Sequence, residues 1–94
     1  MEILNNENLI ITFRQELSVL TATWKESNME KDSAKIEITT MLEKIRELAP
    51  QYILEDSSKF MLRMNDELQR WINFTVMAEV IEIGVKKYAI VVDP

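Results

Sequence analysis

The fold class this sequence predicts is an α/β domain built on a mixed sheet, and three observations predict it. Tyr52-Ile53-Leu54-Glu55-Asp56 and Tyr88-Ala89-Ile90-Val91-Val92-Asp93 are short apolar runs that each end on an acid. Asn65 to Ile83 between them recurs with helical spacing, and two buried strands joined by a helix lie parallel. Ahead of them, two runs rich in β-branched and aromatic residues precede a second helical pattern. Together these give about four strands, an N-terminal antiparallel hairpin followed by a parallel βαβ unit, with two main helices. Parallel strands need cover on both faces, so the first half of the chain is expected to supply it.

The hairpin comes first. Asn8 to Phe13 and Leu17 to Lys25 are separated by the polar Arg14-Gln15-Glu16, a three-residue connection. In the second of these runs Leu20, Ala22 and Trp24 share one face and Val19, Thr21 and Thr23 the other, a contrast that suits a strand toward the edge of a sheet. The period changes after Glu26. Ser27-Asn28-Met29-Glu30 fits a capping box. Ala34, Ile38, Met41, Leu42, Ile45, Leu48 and Ala49 then form one apolar stripe, with charged residues opposite and Pro50 as the stop.

The strand Tyr52 to Asp56 follows at once, then the loop Ser57-Ser58-Lys59-Phe60-Met61-Leu62-Arg63-Met64, and Asn65 as a cap for the second helix. In that helix Leu68, Trp71 and Ile72 make one group, while Phe74, Met77, Ala78 and Ile81 make a stripe pointing elsewhere, with Val76, Val80 and Ile83 beside it. One amphipathic face cannot hold all of these, so the helix is expected to bend midway or to bury two sides. Gly84, the sole glycine, stands where a left-handed C-cap is wanted.

Composition bounds the function. The 94 residues make a single domain, 1–94, of which 47% is hydrophobic and 29% charged, ordinary for a globular protein. The longest apolar runs fall well short of the roughly 20 residues of a membrane span. The first residues lack the basic flank and apolar core of a secretory signal, so a cytoplasmic protein is expected. There is no cysteine and no histidine, which removes thiol nucleophiles, disulfides, the usual zinc sites and histidine acid–base chemistry. A net charge of -5 with only Lys86-Lys87 as a basic spot argues against nucleic acid as a partner.

The series hairpin, helix, strand, helix, strand carries local motifs as well: Thr23-Trp24-Lys25, the middle strand Tyr52 to Asp56, Asp66-Glu67-Leu68-Gln69-Arg70-Trp71-Ile72-Asn73, and the glycine-led Gly84-Val85-Lys86-Lys87-Tyr88-Ala89-Ile90-Val91-Val92. In these the chain resembles a family of small bacterial STAS-like proteins, typical of Bacteroidetes, which share the fold of anti-sigma-factor antagonists and CRAL-TRIO lipid-binding domains. The resemblance spans nearly the whole chain. It implies a STAS-like fold more than a function, since most members have no assigned activity, and members usually run on past the final strand into a further strand or helix.

Several residues are candidates for function. Asp56 and Asp93 fall at the carboxyl ends of parallel strands, where open α/β sheets bind ligands. With Ser57, Ser58 and Trp71 they would line a pocket for a small polar ligand, a lipid or a hard cation, although acids at strand ends also simply cap helices. Asp56-Ser57-Ser58 resembles the phosphorylated Asp-Ser-Ser-Gly motif of anti-sigma-factor antagonists, but Lys59 replaces the glycine and the motif's serine opens a helix, so phosphorylation of Ser57 or Ser58 is not expected. Trp24 and Trp71 read as core or core-rim residues before ligand platforms, and the methionines as packing residues. No catalytic constellation, metal site or cofactor is expected. The surplus apolar stripe Phe74, Met77, Ala78 and Ile81 marks an interaction surface for a second copy or another protein. The favoured reading is therefore a self-associating regulatory or protein-interaction module, with a small-ligand or lipid carrier as the alternative.

Overall fold

The computed structural model describes residues 1–26, 30–59 and 66–92. Its elements run β1 (Glu2–Asn5), β2 (Leu9–Arg14), β3 (Val19–Trp24), α1 (Lys31–Leu48), β4 (Tyr52–Asp56), α2 (Asp66–Ile83) and β5 (Lys87–Val91). The class is α/β with two helices, and the sheet is mixed, with five strands in the order β1-β2-β3-β4-β5. β1, β2 and β3 form an antiparallel meander, and β3, β4 and β5 are parallel.

One strand more is present than the sequence suggested. Glu2–Asn5 pairs with β2 through a bulge between Glu2 and Leu4. The turn back is made by Asn6, whose Oδ1 accepts from the Asn8 and Leu9 amides at 2.8 and 2.9 Å, an Asx turn that needs no glycine. The β2–β3 turn is also longer than three residues: it spans 15–18, with Ser18 in the left-handed region at φ 53°.

The alternation in each strand sorts the sheet into two faces. Leu9, Ile11 and Phe13 of β2, Leu20, Ala22 and Trp24 of β3, and Ile53 of β4 are all buried and lie opposite one another in register. α1 lays Ala34, Ile38, Met41, Leu42 and Ile45 over this face, and α2 adds Leu68, Val76 and Val80. Both crossovers step the same way along the sheet, so right-handed connections place both helices on the same side. The expectation of cover on both faces is thereby corrected: among the described residues only one face is covered. The same fact corrects the placing of β3, which is the central strand. Its Thr21 and Thr23 are polar because that face is open, not because the strand is an edge.

Two helix features also differ. Glu30 is itself the N-cap of α1 and makes no side-chain cap bond, so it does not close a capping box with Ser27, which lies outside the described residues, as do the loop residues 60–65, including the cap Asn65. α2 runs unbroken from Asp66 to Ile83 and does not bury two sides. It buries one side and exposes the other. Gly84 at φ 86° does end it as expected: the Val85 amide reaches the Val80 carbonyl at 3.1 Å and the Gly84 amide reaches Ile81 at 3.1 Å, the paired bonds of a Schellman cap. Of the methionines described, Met41 alone is core, whereas Met1 and Met77 are exposed.

Candidate functional site

The carboxyl ends of β3, β4 and β5 meet the amino ends of both helices, which run the same way side by side. Lys35 of α1 sits over the Trp71 ring of α2 at 5.4 Å from its centroid, and two to three turns further on Arg46 hydrogen-bonds Glu79. Trp71 is half-buried in this seam and packs against the core rim, where a cation–π contact contributes about 0.5–1 kcal/mol.

The period-two geometry of β4 sends its two terminal acids to opposite faces. Glu55 pairs in register with Ala22 and Ile90 under the helices, and Asp56 pairs with Thr23 and Val91 on the open face. Each is engaged locally. Glu55 Oε2 accepts from Trp24 Nε1 at 3.0 Å and from the Ser57 hydroxyl at 3.1 Å, while its Oε1 accepts from the Tyr88 hydroxyl. Burial, reinforced by the neighbouring Glu55 carboxylate, pushes the Tyr88 phenol well above its ordinary value, because ionisation would put a second negative charge in a dry place. Asp56 Oδ1 accepts from the Ser58 hydroxyl at 2.6 Å and from the Ser58 amide at 3.0 Å. The hydroxyl first and the amide second hold the Asp56 carboxyl below its usual range, and Lys59 adds to this.

The predicted strand-end group is therefore divided. Ser57 joins Glu55 on the helix side, Ser58 closes a turn with Asp56 on the other, and Trp71 lies in the helix seam. Asp93 lies outside the described residues. Sequence reasoning missed Glu55 and Tyr88 as the centre of the polar cluster. The signal was available: alternation puts Glu55 on the same face as Ile53, and a carboxylate on a buried face needs donors, which the polar tips of Trp24 and Tyr88 supply. Among the described residues no cluster of acids is arranged to hold a metal ion, and no helix is long and apolar enough to cross a membrane.

The second candidate surface is on α2. Phe74 is 80% exposed, Ile81 73% and Met77 48%, and Ala78 is exposed with them. At 100° per residue these four lie away from Glu79 and from the buried Leu68 and Val76, while Phe74 and Ala78, three and seven residues on from Trp71, border the seam with α1. They make one apolar stripe that nothing covers among the described residues. No family model matches the chain, and neither a curated protein nor a solved structure matches it.

Proposed function

We propose that the chain is a cytoplasmic, non-catalytic regulatory or protein-interaction module of the bacterial STAS-like type, which associates with itself through α2. The observation that carries this reading is the exposed stripe Phe74, Met77, Ala78 and Ile81. Fully covering a Phe or Ile side chain stabilises by about 1.5–3 kcal/mol, so a second copy of the same stripe offers enough to hold two chains together. The order of elements, from hairpin to glycine-led last strand, supports the STAS-like type. A role without catalysis is supported by the strand-end acids: Glu55 and Asp56 face opposite ways and are each engaged by neighbouring donors.

Phe74→Asp and Met77→Asp test the reading. Each is expected to convert an oligomer into a species of 11.1 kDa by light scattering, with the far-ultraviolet circular dichroism and thermal midpoint retained. An unchanged mass would remove the proposal. A small molecule retained by freshly purified protein in native mass spectrometry would favour the carrier instead.

A further inference from the structure

We propose that the α2 stripe of one copy lies on the open sheet face of the next, so that chains stack head to tail and each bare sheet is covered by a neighbour's helix. The inference rests on the self-association reading and names what the stripe meets: the neighbour's sheet rather than the neighbour's stripe.

The strand register lays out the open face in rows. Arg14 and Lys87 stand in the row at the amino ends of the parallel strands, and Asp56 stands in the row at their carboxyl ends. Between them Thr12, Thr21, Leu54 and Ala89 make an uncharged row, in which Leu54 is 39% exposed. Such a floor, small or β-branched except for one leucine, does not look like a face built for water. β3, β4 and β5 are parallel, and parallel strands are ordinarily covered on both faces. The usual cover in α/β layers is the apolar side of a helix.

α2 carries a side of that kind, and it points away from its own sheet. One chain therefore cannot bring its stripe and its open face together, whereas a copy displaced along the sheet normal can. Laid in the same sense as it lies on its own sheet, α2 runs from the carboxyl ends of the strands toward their amino ends. Met77 then sits over the uncharged row, with Phe74 on the side of Asp56 and Ile81 on the side of Lys87. Arg70, exposed one turn before Phe74, falls at Asp56, which meets Ser58 through Oδ1 alone among the described residues. Glu82, exposed next to Ile81, falls at Lys87 and Arg14, the latter also facing Glu16 at 3.6 Å. The reverse sense would set Arg70 against Arg14 and Lys87, and Glu82 against Asp56. The charges thus agree with one sense and oppose the other.

Length agrees as well. Arg70 to Glu82 spans about 18 Å of helix, and a strand of five residues spans about 17 Å. A foreign helix would have to reproduce both the apolar spacing and the order of charges, and a second copy already has them. One helix on a sheet buries on the order of 500 Å² from each partner, below the ~800 Å² of a standard interface, so the association is concentration-dependent. Contacts of this head-to-tail kind leave one stripe and one sheet face free at the ends, and assembly does not stop at two chains.

The test mixes two variants. Phe74→Asp spoils the stripe and Leu54→Asp spoils the sheet face. Each alone is expected to lose association at least tenfold, to give 11.1 kDa by light scattering or sedimentation, and to keep the wild-type circular dichroism spectrum. Mixed in equal amounts they are expected to pair and to stop at two chains, because one sound stripe and one sound sheet face remain between them. Wild type should grow past two chains as concentration rises. If Leu54→Asp keeps the wild-type mass while Phe74→Asp is monomeric, if the mixture stays monomeric, or if wild type stops at two chains, the stacking proposal is overturned and the α2 reading survives. A wild-type chain that is monomeric throughout overturns both. Should Leu54→Asp fail to fold, Ala89→Lys, in the same row on the exposed last strand, takes its place in the same mixture, since lysine is tolerated on an edge strand.

Discussion

α1 and α2 are both 18 residues long and lie side by side on one face of the same sheet, but they have finished different amounts of packing. α1 buries Ala34, Ile38, Met41, Leu42 and Ile45 and turns charge to solvent. α2 buries Leu68, Val76 and Val80 and leaves Phe74, Met77 and Ile81 outside. Position explains the difference. α1 follows β3, the central strand, and is flanked by α2, whereas α2 leads into β5, the edge, with no further helix beside it among the described residues. Apolar content therefore does not by itself say what is core: the same kind of side chain is structural over interior strands and available for binding at the end of the sheet.

The sharpest way to break this comparison is to truncate one aromatic from each region. Trp24 is 2% exposed beneath the helices, and Trp24→Ala is expected to cost about 3–5 kcal/mol in urea unfolding. Phe74→Ala, measured at concentrations where the chain is monomeric, is expected to change stability by no more than about 0.5 kcal/mol. Comparable costs for the two would mean that Phe74 is core and that the distinction between the helices is false.

The Glu55 cluster comes next, since it joins β3, β4 and β5. Glu55→Ala removes an acceptor shared by three donors and is expected to cost about 2–3 kcal/mol. Tyr88 adds a pH dependence of definite sign. Its folded pKa is raised above the ordinary value near 10, so its contribution is fully present below that pH and is lost as pH rises beyond it. Stability should fall above about pH 10, and Tyr88→Phe, though less stable at neutrality, should flatten that alkaline limb. An identical slope in the two proteins would show that the phenol does not sit in the dry place described. Asp56 has the opposite sign. Its lowered pKa stabilises above the unfolded value and is lost as pH falls through the folded one, so Asp56→Asn should soften only the acid limb.

Much of this was legible in the sequence, for reasons that particular residues make plain. The parallel pair Tyr52–Asp56 and Lys87–Val91 followed from two apolar runs with a helix between, and the α1 stripe from Ala34 to Ile45 followed from its spacing. The chain's first strand was not legible, because Glu2–Asn5 carries two polar residues in four and its turn is made by an Asn6 side chain rather than by glycine. The single covered face was not legible either. Alternation tells which residues share a face, but not on which side a crossover helix will lie until the strand order is known. At the candidate site, Asp56, Ser57 and Ser58 could be placed at a strand end, but their assignment to opposite faces depends on where the strand stops. Glu55 was hidden by standing next to a more conspicuous acid.

The smallest effects concern how each helix ends, and they refine the same contrast. α2 stops on Gly84 at φ 86°, with nothing within 4 Å of the position a Cβ would take. Gly84→Ala should therefore cost only the backbone penalty of a left-handed alanine, about 1–2 kcal/mol. α1 stops on Ala49, which already bears that penalty at φ 44° while its amide holds the Ile45 carbonyl at 2.8 Å. The buried Pro50 and the packed stripe behind it impose the conformation. Ala49→Gly should relieve it, and a gain of about 0.5–1 kcal/mol in thermal or urea unfolding is expected. Opposite signs for the two exchanges would establish that α1 is held to its ending by tertiary packing and α2 by its local sequence. A loss of stability on Ala49→Gly would mean instead that the unfolded-state entropy of the added glycine exceeds the strain at the cap, and that α1 ends under no strain at all.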